Sequence, residues 1–151
     1  MSFTAIKKYL DGVANRNAFK VEALVMGTET AGKVVVVTAA LYQFEAKMEV
    51  EYEWSPSGNI LYMSTKRYWA TNNGLSRGNI KMGLASENAG NTNWVELNND
   101  NGIQDGQWHA FVKHLTVDAN SRSATIYFNW QYDVDGRPDP NMTGHVDVTF
   151  P

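Results

Sequence analysis

Between Phe44 and Trp54 the chain alternates without exception. Phe44, Ala46, Met48, Val50, Tyr52 and Trp54 fall on one phase, and Glu45, Lys47, Glu49, Glu51 and Glu53 on the other. Successive side chains of a strand leave on opposite faces, so this pattern predicts a strand with one buried and one wet face. On a helix the same glutamates would spread around the whole circumference and leave no apolar stripe to bury. A strand of this kind needs a second layer over its apolar face, which points to a layered, mainly antiparallel β fold.

The period of two recurs further along. Ala124, Ile126, Phe128 and Trp130 alternate with Ser123, Thr125, Tyr127, Asn129 and Gln131, and Val146, Val148 and Phe150 with His145, Asp147 and Thr149. Further strands are predicted over 19–26, 33–41, 60–70, 79–85, 93–97 and 107–117, about nine in all. Turn residues separate them, among them Ser55-Pro56-Ser57-Gly58-Asn59, Asn72-Asn73-Gly74, Asn98-Asn99-Asp100-Asn101-Gly102 and Asp135-Gly136-Arg137-Pro138. The expected architecture is an antiparallel β-sandwich filling 19–151, in one domain with a helical arm over 1–14. In that arm Phe3, Ile6, Leu10 and Val13 make an apolar stripe flanked by Lys7, Lys8 and Asp11. About three turns of helix are marginal alone, so the arm must lie on the sheet, on a partner or on a membrane.

At 151 residues one core is expected. The 16 acids and 13 bases are intermixed, for a net charge of -3, and no basic run could neutralise a row of phosphates, so nucleic acid is not expected as a partner. With no cysteine there is neither a disulfide staple nor a thiol nucleophile. Lys7, Lys8 and Asp11 occupy the place of a signal-peptide apolar region, and the apolar run over 34–42 is about half the length of a spanning helix. The expectation is a soluble protein, cytoplasmic as synthesised or released by a route without a visible signal peptide.

Several constellations carry possible chemistry. Gly27-Thr28-Glu29-Thr30-Ala31-Gly32-Lys33 has the glycine and lysine spacing of a phosphate loop, but Val34 stands where a magnesium-binding hydroxyl is needed and β-branched residues follow where a helix should start. A turn between strands is the simpler reading. His109 and His114 are five apart on one predicted strand and so on opposite faces, which leaves them and His145 as separate histidines rather than zinc ligands. Asp133, Asp135 and Asp139 crowd one loop with oxygen donors suited to calcium; with Pro138 and Pro140 there, the loop equally reads as a rigid acidic turn without an ion, and a site would need help from Asp100 or Asp105. No cofactor is otherwise expected. Glu45, Glu49, Glu51 and Glu53 share a face as a glycosidase pair would, yet any alternating strand produces that spacing. Lys66, Arg67, Lys81 or Lys113 are their expected cross-strand partners. Asp105-Gly106-Gln107-Trp108-His109 resembles segments of sandwich modules of the laminin-G and lectin kind, over five residues that carry across no site residue and no ligand.

The remaining feature is compositional. Nine of fifteen asparagines fall between 72 and 101, a stretch that contains Trp94 and is flanked by Tyr68, Trp69 and Trp108. Aromatic faces stack on sugar rings and side-chain amides satisfy hydroxyls, so a non-catalytic, lectin-like glycan-binding module is the first expectation. Trp69, Trp94 and Trp108 are the expected stacking faces, and Asn72, Asn73, Asn98, Asn99 and Asp100 the expected hydrogen-bonding groups. For each alone, a turn role for asparagine and a core role for tryptophan is the simpler account. Second comes a cytolysin-like protein that meets a membrane surface through Phe3, Ile6, Leu10 and Val13. A self-associating structural subunit is third, and an enzyme last.

Overall fold

The computed structural model describes residues 32–151, and these form nine strands with no helix among them. They are β1 (Lys33–Leu41), β2 (Phe44–Trp54), β3 (Ile60–Ala70), β4 (Asn79–Ala85), β5 (Val95–Glu96), β6 (His109–Ala110), β7 (His114–Asp118), β8 (Ser123–Gln131) and β9 (Asn141–Thr149). All pairings are antiparallel. One sheet runs β1-β2-β3, with β6 and β7 sharing the far edge of β3, and the other runs β5-β4-β8-β9. The arm carrying Phe3, Ile6, Leu10 and Val13 and the strand predicted over 19–26 lie outside the described residues. Of the glycine-rich run before Val34 only Gly32 and Lys33 are described, and Lys33 already opens a strand.

The alternating segments behave as their period dictates. Met48 and Val50 of the first sheet and Ile80, Met82, Phe128 and Trp130 of the second are fully buried in one apolar core, while the opposite phases face outward. Two predicted elements changed extent: the strand over 93–97 contracts to Val95–Glu96, and the last strand begins at Asn141.

The strand predicted over 107–117 divides into β6 and β7, and the reason lies in its neighbour. Opposite β2, Glu49 pairs with Arg67 and Val50 with Thr65, so Lys66 is an extra residue. Such a bulge shifts the inward phase by one. Before it Leu61, Met63 and Thr65 are buried; after it Tyr68 and Ala70 are, and Lys66 and Arg67 both face out. The partner strand breaks at the same level. Buried Thr65 fills the gap, its hydroxyl donating to Phe111 O at 2.6 Å and accepting from Lys113 N at 2.8 Å.

Two contacts fix the remainder. The two sheets meet backbone to backbone where β9 crosses β1: a Cβ on Gly144 would stand 1.8 Å from Thr38 O, so only glycine fits. The loops after β3, before β6 and after β8 are tied by Gln104, which has no exposed surface. Its Oε1 accepts from Trp130 Nε1 at 3.0 Å and Asp133 N at 2.8 Å, and its Nε2 donates to Asn73 Oδ1 at 3.0 Å and Asp133 O at 2.9 Å. Every hydrogen-bonding position of that amide is filled.

Gly144→Ala is expected to destabilise the fold by about 1–3 kcal/mol through overpacking against the β1 backbone. Gln104→Leu keeps the volume but orphans Trp130 Nε1 and Asp133 N, at a cost of about 2–4 kcal/mol. Urea unfolding of the two variants against wild type measures both, and an unchanged midpoint for Gln104→Leu would show that the loops hold without the amide.

Candidate functional site

The outer face of the second sheet carries an aromatic corner. Tyr127 lies on the wet phase of β8, between Gly83 of β4 and His145 of β9. Its ring is 5.8 Å, centroid to centroid, from that of His145. Gly83 leaves room above the sheet, and the backbone of Asn93 fills it: a Cβ there would meet Asn93 O at 2.7 Å. The segment is pinned by Thr92, whose Oγ1 accepts from Leu84 N at 2.9 Å, and by Asn91 Oδ1, which accepts from Asn93 N at 2.8 Å. Asn93 takes a left-handed φ of 59°, a conformation asparagine tolerates better than most residues.

The consequence is an outward-held tryptophan. Trp94 is 46% exposed and meets Tyr127 edge-on, at 6.1 Å between centroids and 71° between planes. The two rings, with Asn91, Asn93 and Gly83, line a shallow cavity of about 210 Å³. Trp94 was expected from the sequence; Tyr127, Asn91 and Asn93 were not. Tyr127 could have been found, because a large aromatic on the polar phase of an alternating strand has no core to enter.

Trp69 and Trp108 sit elsewhere, on the outer face of the first sheet. Lys47 Nζ lies 5.0 Å from the Trp69 ring centroid and the Arg67 guanidinium 4.4 Å from that of Trp108. Arg67 Nε also donates to Glu49 Oε1 at 2.7 Å, and Lys66 Nζ stands 3.7 Å from Glu51 Oε1. Two of the four glutamates thus have cross-strand cations, supplied by the bulged residues. Lys81 instead lies opposite Glu96, and Lys113 beside Glu96 in a second cavity.

The expected asparagines mostly build loops. Asn72 Oδ1 accepts from Gly74 N at 3.0 Å, and Asn73 Oδ1 from Leu75 N at 3.0 Å while its Nδ2 donates to Asp133 O at 2.8 Å. Asn98 is buried, accepting from Ile80 N at 2.9 Å and donating to Gly78 O at 3.0 Å. Asp100 turns back to accept from Asn79 Nδ2 at 2.7 Å. Asn98 and Asn99 line the second cavity, about 320 Å³, with Glu96, Phe111 and Lys113. The structure therefore brings Asn98, Asn99 and Asp100 together, and puts Trp94 on a different sheet from Trp69 and Trp108.

The titratable groups are dispersed. His109 Nε2 is 2.9 Å from Asp105 Oδ1, and His114 Nδ1 is 2.7 Å from Ser64 Oγ. In the ladder Glu51 pairs with Ser64 and so flanks the serine, whereas a nucleophile relay needs an acid on the histidine. In the acidic loop Asp139 Oδ1 accepts from Val134 N at 3.0 Å, the Asp133 carbonyl is taken by Asn73 and Gln104, and Asp135 is exposed. Among the described residues no three His, Cys, Asp or Glu side chains come together as metal ligands. Comparison with protein-family models, with curated proteins and with solved structures finds no match to this chain.

The hydrogen bond from His109 holds the Asp105 carboxyl below its usual range, against the opposing effect of desolvation and with further help from the Gln107 amide. A depressed carboxyl pKa stabilises the fold above the unfolded value, near 3.9, and that contribution disappears as pH falls through the folded value. Stability of Asp105→Asn is therefore expected to fall less steeply than wild type below pH of about 4. Urea midpoints followed down the acid limb test this, and parallel curves would contradict it.

Proposed function

We propose that the chain is a β-sandwich and a non-catalytic binding module that recognises carbohydrate at Trp94 and Tyr127. The observation that carries this reading is the corner itself: two exposed aromatic rings at 71° over a cavity of about 210 Å³ bordered by two asparagines. A pyranose presents an apolar face of C–H groups and a rim of hydroxyls. One ring stacks on the apolar face, the other closes its side, and the amides of Asn91 and Asn93 meet the hydroxyls. Exposed aromatics with adjacent amides are also how a site gains contact area at low entropic cost, since each ring has only two side-chain torsions.

Trp69 and Trp108 enter this reading differently. Each has a cation over its ring, so a sugar would first have to displace Lys47 or Arg67. The membrane and assembly readings draw on Phe3, Ile6, Leu10 and Val13, outside the described residues, and gain no specific support from the two sheets.

Glycan-array retention is the test. Wild type is expected to retain a defined set of glycans, and Trp94→Ala or Tyr127→Ala to weaken binding by roughly tenfold or more, the loss of about 1.4 kcal/mol. Trp108→Ala leaves it unchanged. Retention that survives Trp94→Ala but is lost in Trp108→Ala would move the site to the first sheet, and no retention of any glycan would end the carbohydrate reading.

A further inference from the structure

The aromatic corner has a neighbour on the same short strand. Trp94 and Glu96 are exposed on either side of Val95, which packs against the core. Trp94 lines the cavity of the corner, and Glu96 lines the second cavity, of about 320 Å³. Two strand residues rise roughly 7 Å, so the cavities stand at the two ends of β5 within reach of one ligand. β5 is the edge of its sheet, and no strand of the described residues runs beyond it.

One wall of the second cavity comes from the other sheet and is set by the bulge in β3. Buried Thr65 bonds through its hydroxyl to Phe111 O and Lys113 N, and its own N–H donates to Lys113 O at 2.9 Å. Phe111 N donates to Lys66 O at 3.0 Å. These bonds fix the short segment that carries Phe111 and Lys113 into the lining. The loop after β5 is fixed as well. Asn98 is spent on Ile80 N and Gly78 O, and Asp100, at a left-handed φ of 52°, on Asn79. Asn99, exposed between them, makes no side-chain hydrogen bond with a described residue and lines the cavity.

Glu96 and Lys113 share this cavity without forming an ion pair with each other or with another described residue; the bridges there are Lys66–Glu51, Arg67–Glu49 and His109–Asp105. A carboxylate only accepts hydrogen bonds and an ammonium only donates them. A ligand of either net charge would be drawn to one and repelled by the other, whereas a hydroxyl can donate to the first and accept from the second. Lys81, across the ladder from Glu96, and Asp100 in the adjoining loop add one charge of each sign, so the local sum is zero. With the Asn99 amide and the Phe111 ring, the lining repeats the chemistry of the corner, an aromatic surface beside hydrogen-bonding groups. We propose that the site extends along β5 and takes a neutral oligosaccharide, one sugar at Trp94 and Tyr127 and a further sugar among Glu96, Asn99, Phe111 and Lys113. This rests on the carbohydrate reading of the corner and adds the length and charge of the ligand: a linked chain rather than a single terminal sugar, without carboxylate, sulfate or free amine.

Affinities of the full chain for homologous glucan, mannan, galactan and chitin series, from the monosaccharide upward, provide the test, read by calorimetry and nuclear magnetic resonance titration. Within the series that binds, the longer oligomers are expected to bind roughly tenfold tighter than the monosaccharide or better. Lys113→Met and Asn99→Ala, both at exposed positions, remove most of that gain and leave the monosaccharide unchanged, while Trp94→Ala weakens every member. Oligogalacturonate and deacetylated chitin oligomers, which carry acids and amines, bind more weakly than the neutral series. A monosaccharide bound as tightly as its oligomers, or a Lys113→Met, Asn99→Ala double variant that keeps the full gain, would confine the ligand to the corner and overturn the extension while the carbohydrate reading stands. Tighter binding of a charged series would overturn the neutral assignment in the same way. So would displacement of the oligomer by free glycine, a zwitterion able to answer Glu96 and Lys113 together. A chain that binds no glycan at all ends both readings.

Discussion

One buried amide governs how the ends of these sheets are arranged. Gln104 belongs to no strand, yet it bonds to the loop after β3, to the segment after β8 and to the indole of Trp130 in the core. A polar side chain without exposed surface is tolerated only when every donor and acceptor is met, and then it is specific, because no apolar neighbour can substitute for it. Its backbone repeats the role, accepting from Asn73 N and Gly74 N and donating to Leu75 O. Three irregular segments are thereby set against the core by bonds whose geometry leaves little freedom. Asn73 is held from both sides, which explains why it is part of the scaffold and not a free hydrogen-bonding group.

The second organising feature is the extra residue in β3. By moving the inward phase from odd to even positions at Lys66, the bulge puts two cations side by side on the outer face, where an unbroken strand would have buried one of them. Arg67 then reaches both Glu49 and the ring of Trp108. Two of the four glutamates on the first sheet's outer face are thus matched by cations, and a cation stands over each tryptophan there, Arg67 over Trp108 and Lys47 over Trp69. Nothing comparable happens on the second sheet. There the strands keep one phase, Tyr127 stands between Gly83 and His145, and Asn91 and Asn93 border its pairing with Trp94.

Much of the strand layout was legible from periodicity. Residues 33–41, 44–54, 60–70 and 79–85 appear in the structure with the predicted bounds, because alternation reports directly which side chains can be buried. Where the period fails, so does the reading: Thr65, Lys66 and Phe111 give no sign in the sequence that one strand must split around a threonine hydroxyl. The asparagine-rich stretch misled in a more instructive way. Asn98 and Asn93 are chemically identical, but one is buried among backbone groups and the other is exposed at the rim of a cavity. Which is which depends on partners more than ten residues distant or on a φ angle, and neither is written in local composition.

Exposure alone does not distinguish a binding face from a covered one. Trp94 at 46% and Trp108 at 37% differ little by that measure. What separates them is the neighbour. A guanidinium over the indole of Trp108 occupies the π-face a ligand would use, and that contact is reinforced because the same guanidinium is held by Glu49. Tyr127 approaches Trp94 edge-on, and an edge-to-face pair leaves ring surface available on both members while fixing the angle between them. The same reasoning applies to the acids. Glu49 and Glu51 are held by cations across the ladder, whereas Glu96, opposite Lys81, and Asp100 form no ion pair among the described residues and accept from the Asn79 amide instead. The aromatic ring whose interactions are already complete serves the fold, and the one with an open face is where a ligand has something to gain.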